Sequence, residues 1–116
     1  MEFEKLIVFQ KAIDFAVMAY GVCDSLPKGN ADLADELKRS AHSIVLNIAE
    51  GAGEFAPAEK ARYYRMARRS ATESGGNLVL MARTGLIGET VSREGLRRLD
   101  EIVAMLTKMI MDLERS

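Results

Sequence analysis

The amino-acid sequence predicts an all-α protein: an antiparallel up-down-up-down four-helix bundle formed by a single domain over residues 1–116. Three observations lead there. Apolar residues recur at alternating three- and four-residue steps through four separate segments, which is the spacing of a helix face. No stretch alternates apolar and polar residues for long enough to make a strand, and nothing repeats at solenoid periods. The composition, 48% hydrophobic and 28% charged with 6% aromatic and no Trp, draws on the helix-favouring Ala, Leu, Met and Arg and suits a soluble globular chain with an ordinary core.

The first helix is expected from about Leu6 to Ser25, with Leu6, Phe9, Ile13, Ala16, Tyr20 and Cys23 on one face. Leu26-Pro27-Lys28-Gly29-Asn30 ends it, since Pro cannot continue a helix and Gly supplies turn geometry; Asn30 or Asp32 can cap the second helix. That helix, about Ala31 to Ala52, aligns Leu33, Leu37, Ala41, Ile44, Ile48 and Ala52, and Gly51 and Gly53 mark its end. Pro57 suits the first turn of a third helix reaching about Thr84. There Tyr63, Ala67, Ser70, Ser74, Leu78 and Met81 form a face of smaller residues, and Gly85 closes the segment. The fourth helix, from near Ser92 to near Glu114, carries Leu96, Leu99, Val103, Leu106, Ile110 and Leu113 at 3-4-3-4-3 spacing. That regularity favours coiled-coil-like packing of near-antiparallel neighbours, and the short connections make up-down-up-down the simplest path. A second apolar stripe on the fourth helix, Ile102, Met105 and Met109, has two readings: a helix buried over a wide arc, or a subunit interface.

Several kinds of chemistry find no support. Met1-Glu2-Phe3-Glu4-Lys5 carries acid where a secretory signal carries base, and no apolar run approaches the roughly 20 residues of a membrane span. Cys23 is the single cysteine, so no internal disulfide can form and a reducing, cytoplasmic setting is expected. His42 is the only histidine and has no second ligand one turn on, so neither a zinc site nor the paired Glu-x-x-His pattern of di-iron bundles can be assembled. Cys23 falls on an apolar stripe and reads as a small core residue rather than a nucleophile. The glycines at 51, 53, 75 and 76 follow no strand, which argues against a P-loop or a dinucleotide fold. No catalytic residue, metal or cofactor is expected.

The least ordinary stretch runs from Leu37 to Gly53. At about 100° per residue, Arg39, Ser43, Asn47 and Glu50 fall within roughly a quarter-turn of one another, opposite Leu37, Ile44 and Ile48. Ser and Asn cost helix propensity on a merely solvated face. A buried polar seam against a neighbouring helix or subunit is therefore the favoured reading, with Glu73 of the third helix as the candidate partner of Arg39.

This stretch resembles the second helix of the small four-helix-bundle proteins encoded by 23S rRNA intervening sequences, a group related to the accessory variability determinant proteins of diversity-generating retroelements. The family pattern reads approximately L-R-R-A-x-x-S-I-x-x-N-I-A-E-G-x-G, and Leu37, Arg39, Ser43, Ile44, Asn47, Ile48, Ala49, Glu50, Gly51 and Gly53 fall on it. Phe9-Gln10-Lys11-Ala12, Tyr20 and Leu26-Pro27 extend the resemblance upstream. Phe55, Tyr63, Ala67-Arg68, Ser70, Glu73 and Leu86 extend it downstream. Two departures stand out: Arg69 replaces a glycine usual before Ser70, and Gly75-Gly76 sit mid-helix, where a glycine pair can kink the helix or permit close approach. The resemblance implies a bundle that assembles into a ring-like homopentamer, with nucleic-acid binding in some relatives and no enzymatic activity.

The net charge of −1 is unevenly spread: residues 1–36 hold seven acids and three bases, residues 59–83 six bases and two acids. On the third helix Arg62, Arg65 and Arg69 fall at i, i+3 and i+7, with Arg68 and Arg83 extending that side. The planar guanidinium fork suits phosphate oxygens, and a ring would repeat the face and add avidity. The alternative is a solvated face neutralised by acids of the first or fourth helix. Two functions are thus expected to compete. One is a non-enzymatic oligomer that binds RNA or an RNA–DNA hybrid through Arg62, Arg65, Arg68 and Arg69. The other is a homo-oligomeric scaffold for a protein partner.

Overall fold

A computed structural model describes residues 1–115. A single-turn 3-10 helix over Glu2–Lys5 leads into α1 (Ile7–Asp24), α2 (Ala31–Ala52), α3 (Pro57–Arg83) and α4 (Glu89–Glu114). α4 starts about one turn before its apolar periodicity does, because its first turn is Glu-Thr-Val and announces itself only by an acid at the positive end of the helix dipole.

The breaks have local causes. Pro57 occupies the first turn of α3. Gly85, at φ +78°, lets the chain leave α3 through a left-handed residue: its own N–H bonds the Ala82 carbonyl (3.1 Å) and the Leu86 N–H bonds that of Met81 (2.9 Å). Asn30 stands at the N-terminal cap position of α2, yet its side-chain amide donates back to the Pro27 carbonyl (2.9 Å) instead of capping the helix. Gly53 ends α2 with right-handed φ −84°. The last carbonyls there meet Lys60, whose ammonium donates to Gly51 (2.8 Å), which also accepts the Glu54 N–H (3.2 Å), and to Ala52 (3.1 Å), a cation at the negative end of the dipole.

Cross-helix pairs fix the topology. Ser40 meets Ser74 and Ser43 meets Ser70, so numbers rise on α2 as they fall on α3. Arg65 reaches Glu114 while Gly75 faces Leu96 and Leu99, and α3 and α4 are likewise antiparallel. Cys23 bonds the Ala34 carbonyl, and Lys11 pairs with Glu101 while Met18 approaches Gly95, so α1 runs against both α2 and α4. Each helix packs on its two neighbours around a square and, among the described residues, no Cα atoms of the diagonal pairs come within 8 Å of each other. The result is an up-down-up-down bundle of 47 × 21 × 20 Å.

The core is centred on Phe15, Leu37, Ile44, Ile48, Leu78, Met81, Ile102 and Leu106, all fully buried. On two helices its phase differs from the one the periodicity suggests. α1 buries Val8, Ala12, Phe15, Ala19 and Val22, a stripe rotated by about one residue from the expected one. Phe9 and Cys23 stay within it, Leu6, Ile13 and Ala16 lie at its edge, and Tyr20 is exposed. On α3 the buried aromatic is Tyr64, in step with Ala67, Ala71, Leu78 and Met81, whereas Tyr63 is only half-buried. α4 buries Ile102 completely, so this residue belongs to the core of the single chain and not to an exposed interface stripe; Met105 and Met109 pack half-buried against the same core. The wide-arc reading of α4 fits because α1 and α3 flank it on both sides.

Candidate interaction surfaces

The polar seam of α2 exists, on the flank that meets α3 rather than opposite the apolar face. The Ser43 hydroxyl bonds that of Ser70 (2.8 Å), and the Asn47 amide donates to the Ser43 carbonyl (2.9 Å) and hydroxyl (3.0 Å). One turn up, the fully buried Ser40 and Ser74 hydroxyls bond each other at 2.7 Å, and the Ser40 hydroxyl also bonds the Leu37 carbonyl (3.1 Å). Small hydroxyl residues here let two helices approach closely while each buried polar atom keeps a partner. Sequence reading missed Ser40, although its spacing of three from Ser43 on the α3 flank carried the signal. Arg39 pairs with Glu73 across the same interface, but in solvent: their side chains are 61% and 39% exposed. Glu50, expected in the seam, is exposed and its carboxylate has no partner among the described residues.

Geometry divides the basic face. Arg62 is held by Glu59 one turn away (3.0 Å) and lies over the Tyr63 ring at 4.6 Å. That hydrogen bond lowers the Glu59 pKa below the ordinary carboxylate range and raises the Arg62 pKa further. Arg65 and Arg68 turn towards α4, where Arg65 pairs with Glu114 (3.7 Å) and Arg68 donates to the Thr107 hydroxyl (3.2 Å). Of the four expected phosphate ligands, only Arg69 is exposed without a partner among the described residues.

Three shallow grooves border α2. Between α2 and α3, Arg39, His42, Ser43, Leu46, Asn47, Glu50 and Tyr63 line a polar one of about 440 Å³. Between α1 and α2, Ile13, Ala16, Val17, Tyr20, His42 and Val45 line an apolar one of about 220 Å³. At the end of the bundle, Phe3, Ala49, Glu50 and Glu54 border a third together with Phe55, which is 99% exposed. Sequence reading gave Phe55 only as a family match and did not single it out as a surface residue.

Among the described residues, no cluster of three or more His, Cys, Asp and Glu could hold a metal ion. Burial pushes the Cys23 thiol up, the nearby Lys38 charge opposing it only in part, which disfavours the nucleophilic thiolate. No helix among the described residues is long and apolar enough to cross a membrane.

The model of the 23S rRNA-intervening sequence protein family matches residues 4–108, which include the seam, the basic face and the three grooves except for Met1, Glu2 and Phe3 at the edge of the third groove, and leave out Glu114, the partner of Arg65. The chain belongs to this family. No curated protein matches it. Among solved structures, a protein of unknown function from the S23 ribosomal protein family of Bacteroides thetaiotaomicron is similar at 24% identity, with a TM-score of 0.84 over 90% of this chain and 98% of the other. That likeness establishes the fold alone. Within the family pattern, this member's departures are accommodated without a break in α3. Gly75 is buried, where a Cβ would lie 3.3 Å from Leu96 of α4, while Gly76 faces open space.

Proposed function

We propose that this family member is a non-enzymatic, cytoplasmic protein that works as a homo-oligomer, its copies meeting on the α2 side of the bundle rather than along α4. The contrast between the two outer faces carries this reading. The outward face of α4 is closed by ion pairs one turn apart: Arg93 with Glu89, Arg97 with Glu94 and Glu101, and Lys108 with Asp112. That is how a helix face in water is built. The outward face of α2 has no intrahelical ion pair among the described residues. It presents Leu46, 52% exposed, between His42 and the unpaired Glu50, and exposed apolar residues of α1 adjoin it. Contiguous apolar surface rimmed by polar groups marks a docking face.

The stoichiometry expected from the family resemblance is five. Size exclusion with light scattering at micromolar concentration should give a mass near five times 12.8 kDa. A clean monomer would overturn the reading.

Arg69 supports a second function for the same assembly, binding of RNA or an RNA–DNA hybrid. Its free guanidinium lies two turns from Arg62 on one strip of α3, a helix whose sequence carries an excess of bases. In an oligomer, several such sites would act together even if each is weak. Fluorescence anisotropy with structured RNA, duplex DNA and a hybrid tests it. Binding that falls steeply with salt, and is lost on replacing Arg62, Arg65 and Arg69 with Ala, is the expected result. Absent or unchanged binding would leave the scaffold for a protein partner.

A further inference from the structure

We infer that the outer stripe of α1 in one copy lies along the outer stripe of α3 in the next, a head-to-tail contact between the two helices that flank α2. The inference rests on the self-assembly reading above and names the surfaces that meet. On α1 the exposed line is Asp14, Val17, Gly21 and Asp24; on α3 it is Arg69, Gly76, Leu80 and Arg83. Each line has an apolar side chain that the single bundle leaves in water, Val17 at 69% exposure and Leu80 at 48%. Each also has a helical glycine with no atom within 4 Å of an added Cβ. Nothing inside the chain requires these glycines, although glycine weakens a helix.

The two stripes are already level in the fold. α1 and α3 are both antiparallel to α2, so they run parallel to each other. The contacts through α2, Cys23 with Ala34 and Ser40 with Ser74, put Cys23 level with about Leu80. The contacts through α4, Met18 with Gly95 and Gly95 with Leu78, put Met18 level with Leu78. The pairs Val17 with Gly76, Gly21 with Leu80 and Asp24 with Arg83 all fall between these two limits. Copies set side by side with no axial shift therefore bring the apolar side chain of each helix to the glycine of the other, as a knob meets a hole.

Charge selects this pairing over a two-fold one. The α3 stripe has two guanidinium groups, Arg69 and Arg83, without a partner among the described residues. The carboxylates beside them are taken, Glu59 by Arg62 and Glu73 by Arg39. On the α1 stripe Asp14 has no partner among the described residues, and Asp24 meets Lys38 through Oδ1 alone, at 3.6 Å. The adjacent Lys11 is taken by Glu101. In the contact Arg83 reaches Asp24 from the same level, and Arg69 reaches Asp14 from about one turn away. Like stripe on like stripe would set acid on acid or guanidinium on guanidinium. Because α1 and α3 stand at diagonal corners of the bundle, each copy can use both surfaces at once, as a ring requires.

The test uses the full chain with Asp24→Arg, Arg83→Glu, both together, and Gly76→Gln. All three positions are exposed, so circular dichroism should report wild-type helix content for each variant. By sedimentation equilibrium, each single charge reversal should raise the dissociation constant about 10-fold or more, and the double variant should return to within about threefold of the wild type. Gly76→Gln should weaken assembly to a similar extent while the dissociated chain melts at a higher temperature, because it fills the hole with a better helix former. Single reversals that assemble like the wild type would overturn the inference and leave self-assembly intact. A double variant as weak as the singles would overturn the pairing of α1 with α3, and unimpaired assembly of Gly76→Gln would overturn the register. A monomeric wild type would overturn the self-assembly reading itself.

Discussion

Gly51→Ala is the substitution whose effect the structure determines most closely. Gly51 lies in the last turn of α2, where that helix passes α3. A Cβ added there would lie 2.6 Å from Cε1 and 2.8 Å from Cδ1 of Tyr64, and 3.2 Å from the Cβ of Tyr63. Tyr64 is 3% exposed, and a ring wedged in a core cannot yield by turning one terminal bond as a leucine tip can. Forcing a carbon into a packed interior costs about 1–3 kcal/mol. Replacing a helical glycine returns at most ~1 kcal/mol, and less in a final turn. The net effect is a loss of about 1–2 kcal/mol, or roughly 4–8 °C in melting temperature for a chain of this size. Gly76→Ala is the internal control: that glycine is exposed mid-helix, and no atom stands within 4 Å of the added carbon. It should gain about 0.5–1 kcal/mol. Urea unfolding at one fixed, low protein concentration keeps any assembly from shifting the midpoints. If Gly51→Ala proves as stable as Gly76→Ala, the α2–α3 contact is not held at the close approach described, and the reasoning fails.

The same helix contacts set further expectations. Ser40→Ala should cost about 1–3 kcal/mol, because it strands the buried Ser74 hydroxyl, whereas Ser74→Ala should cost less, since Ser40 keeps the Leu37 carbonyl; equal losses in urea unfolding would show that the pair does not share its bond this way. Arg39→Ala or Glu73→Ala should change stability by less than about 1 kcal/mol, because the pair is exposed to solvent; a melting temperature lowered by more than roughly 5 °C would show it to be desolvated. Ile102→Ala should cost about 2–5 kcal/mol even in a dissociated chain, as a core truncation does; a loss seen only in the assembled state would return Ile102 to an interface. Glu101 is held below the ordinary carboxylate range, first by its hydrogen bond from Lys11 and then by that charge, and Glu94 is held down by Arg97. A depressed folded pKa adds stability above the unfolded value, and that stability disappears as pH falls through the ordinary range near ~4.3 towards the folded pKa. Melts between about pH 6 and 3 should therefore decline, with a smaller decline in Lys11→Met; identical pH profiles for the two proteins would remove that pair from the account.

How much of this was legible depended on how many faces of a helix are polar. α2 has a sharply divided face, and its core positions Leu37, Ala41, Ile44 and Ile48 could be read from spacing alone; on α4 the spacing gave Leu99, Leu106 and Ile110, but it placed the fully buried Ile102 on a second stripe and counted the half-buried Leu96, Val103 and Leu113 with the core. α1 is apolar nearly all round: Ile7, Val8, Phe9, Ala12, Ile13, Phe15, Ala16 and Val17 support two adjacent stripes about equally, and only packing against α2 and α4 decides between them. The neighbouring Tyr63 and Tyr64 posed the same ambiguity on α3. The Arg39–Glu73 pair was legible because it needed only opposite charges on two helices already expected to be neighbours. The fate of the arginines was not, because their partners Glu114 and Thr107 arrive only when the end of α4 is laid against the start of α3. Counting charge along one helix cannot anticipate the ion pair with Glu114 or the hydrogen bond to the neutral Thr107 hydroxyl.

The small residues and the exposed apolar ones have a common cause. Where α2 meets α3 the contact is built from Ser40, Ser43, Ser70, Ser74 and Gly51, and where α3 meets α4 from Gly75 and Gly95. A Cβ on Gly95 would come within 2.5 Å of Leu78. Seams of this kind bring helix axes close, and a narrow bundle has less interior to offer the rest of the chain. α1 supplies more apolar side chains than such an interior can take, so Ile7, Val17 and Tyr20 remain outside, with Leu46 and Phe55 beside them from α2 and its connection. Burial against another copy would return to these residues the transfer free energy that the single bundle leaves unrealised, at about 25 cal/mol for each Å² removed from water. On this reasoning the tight α2–α3 seam and the sticky α1–α2 face are coupled. A variant that widened the seam enough to draw α1 inward should assemble less well without any change at the surface.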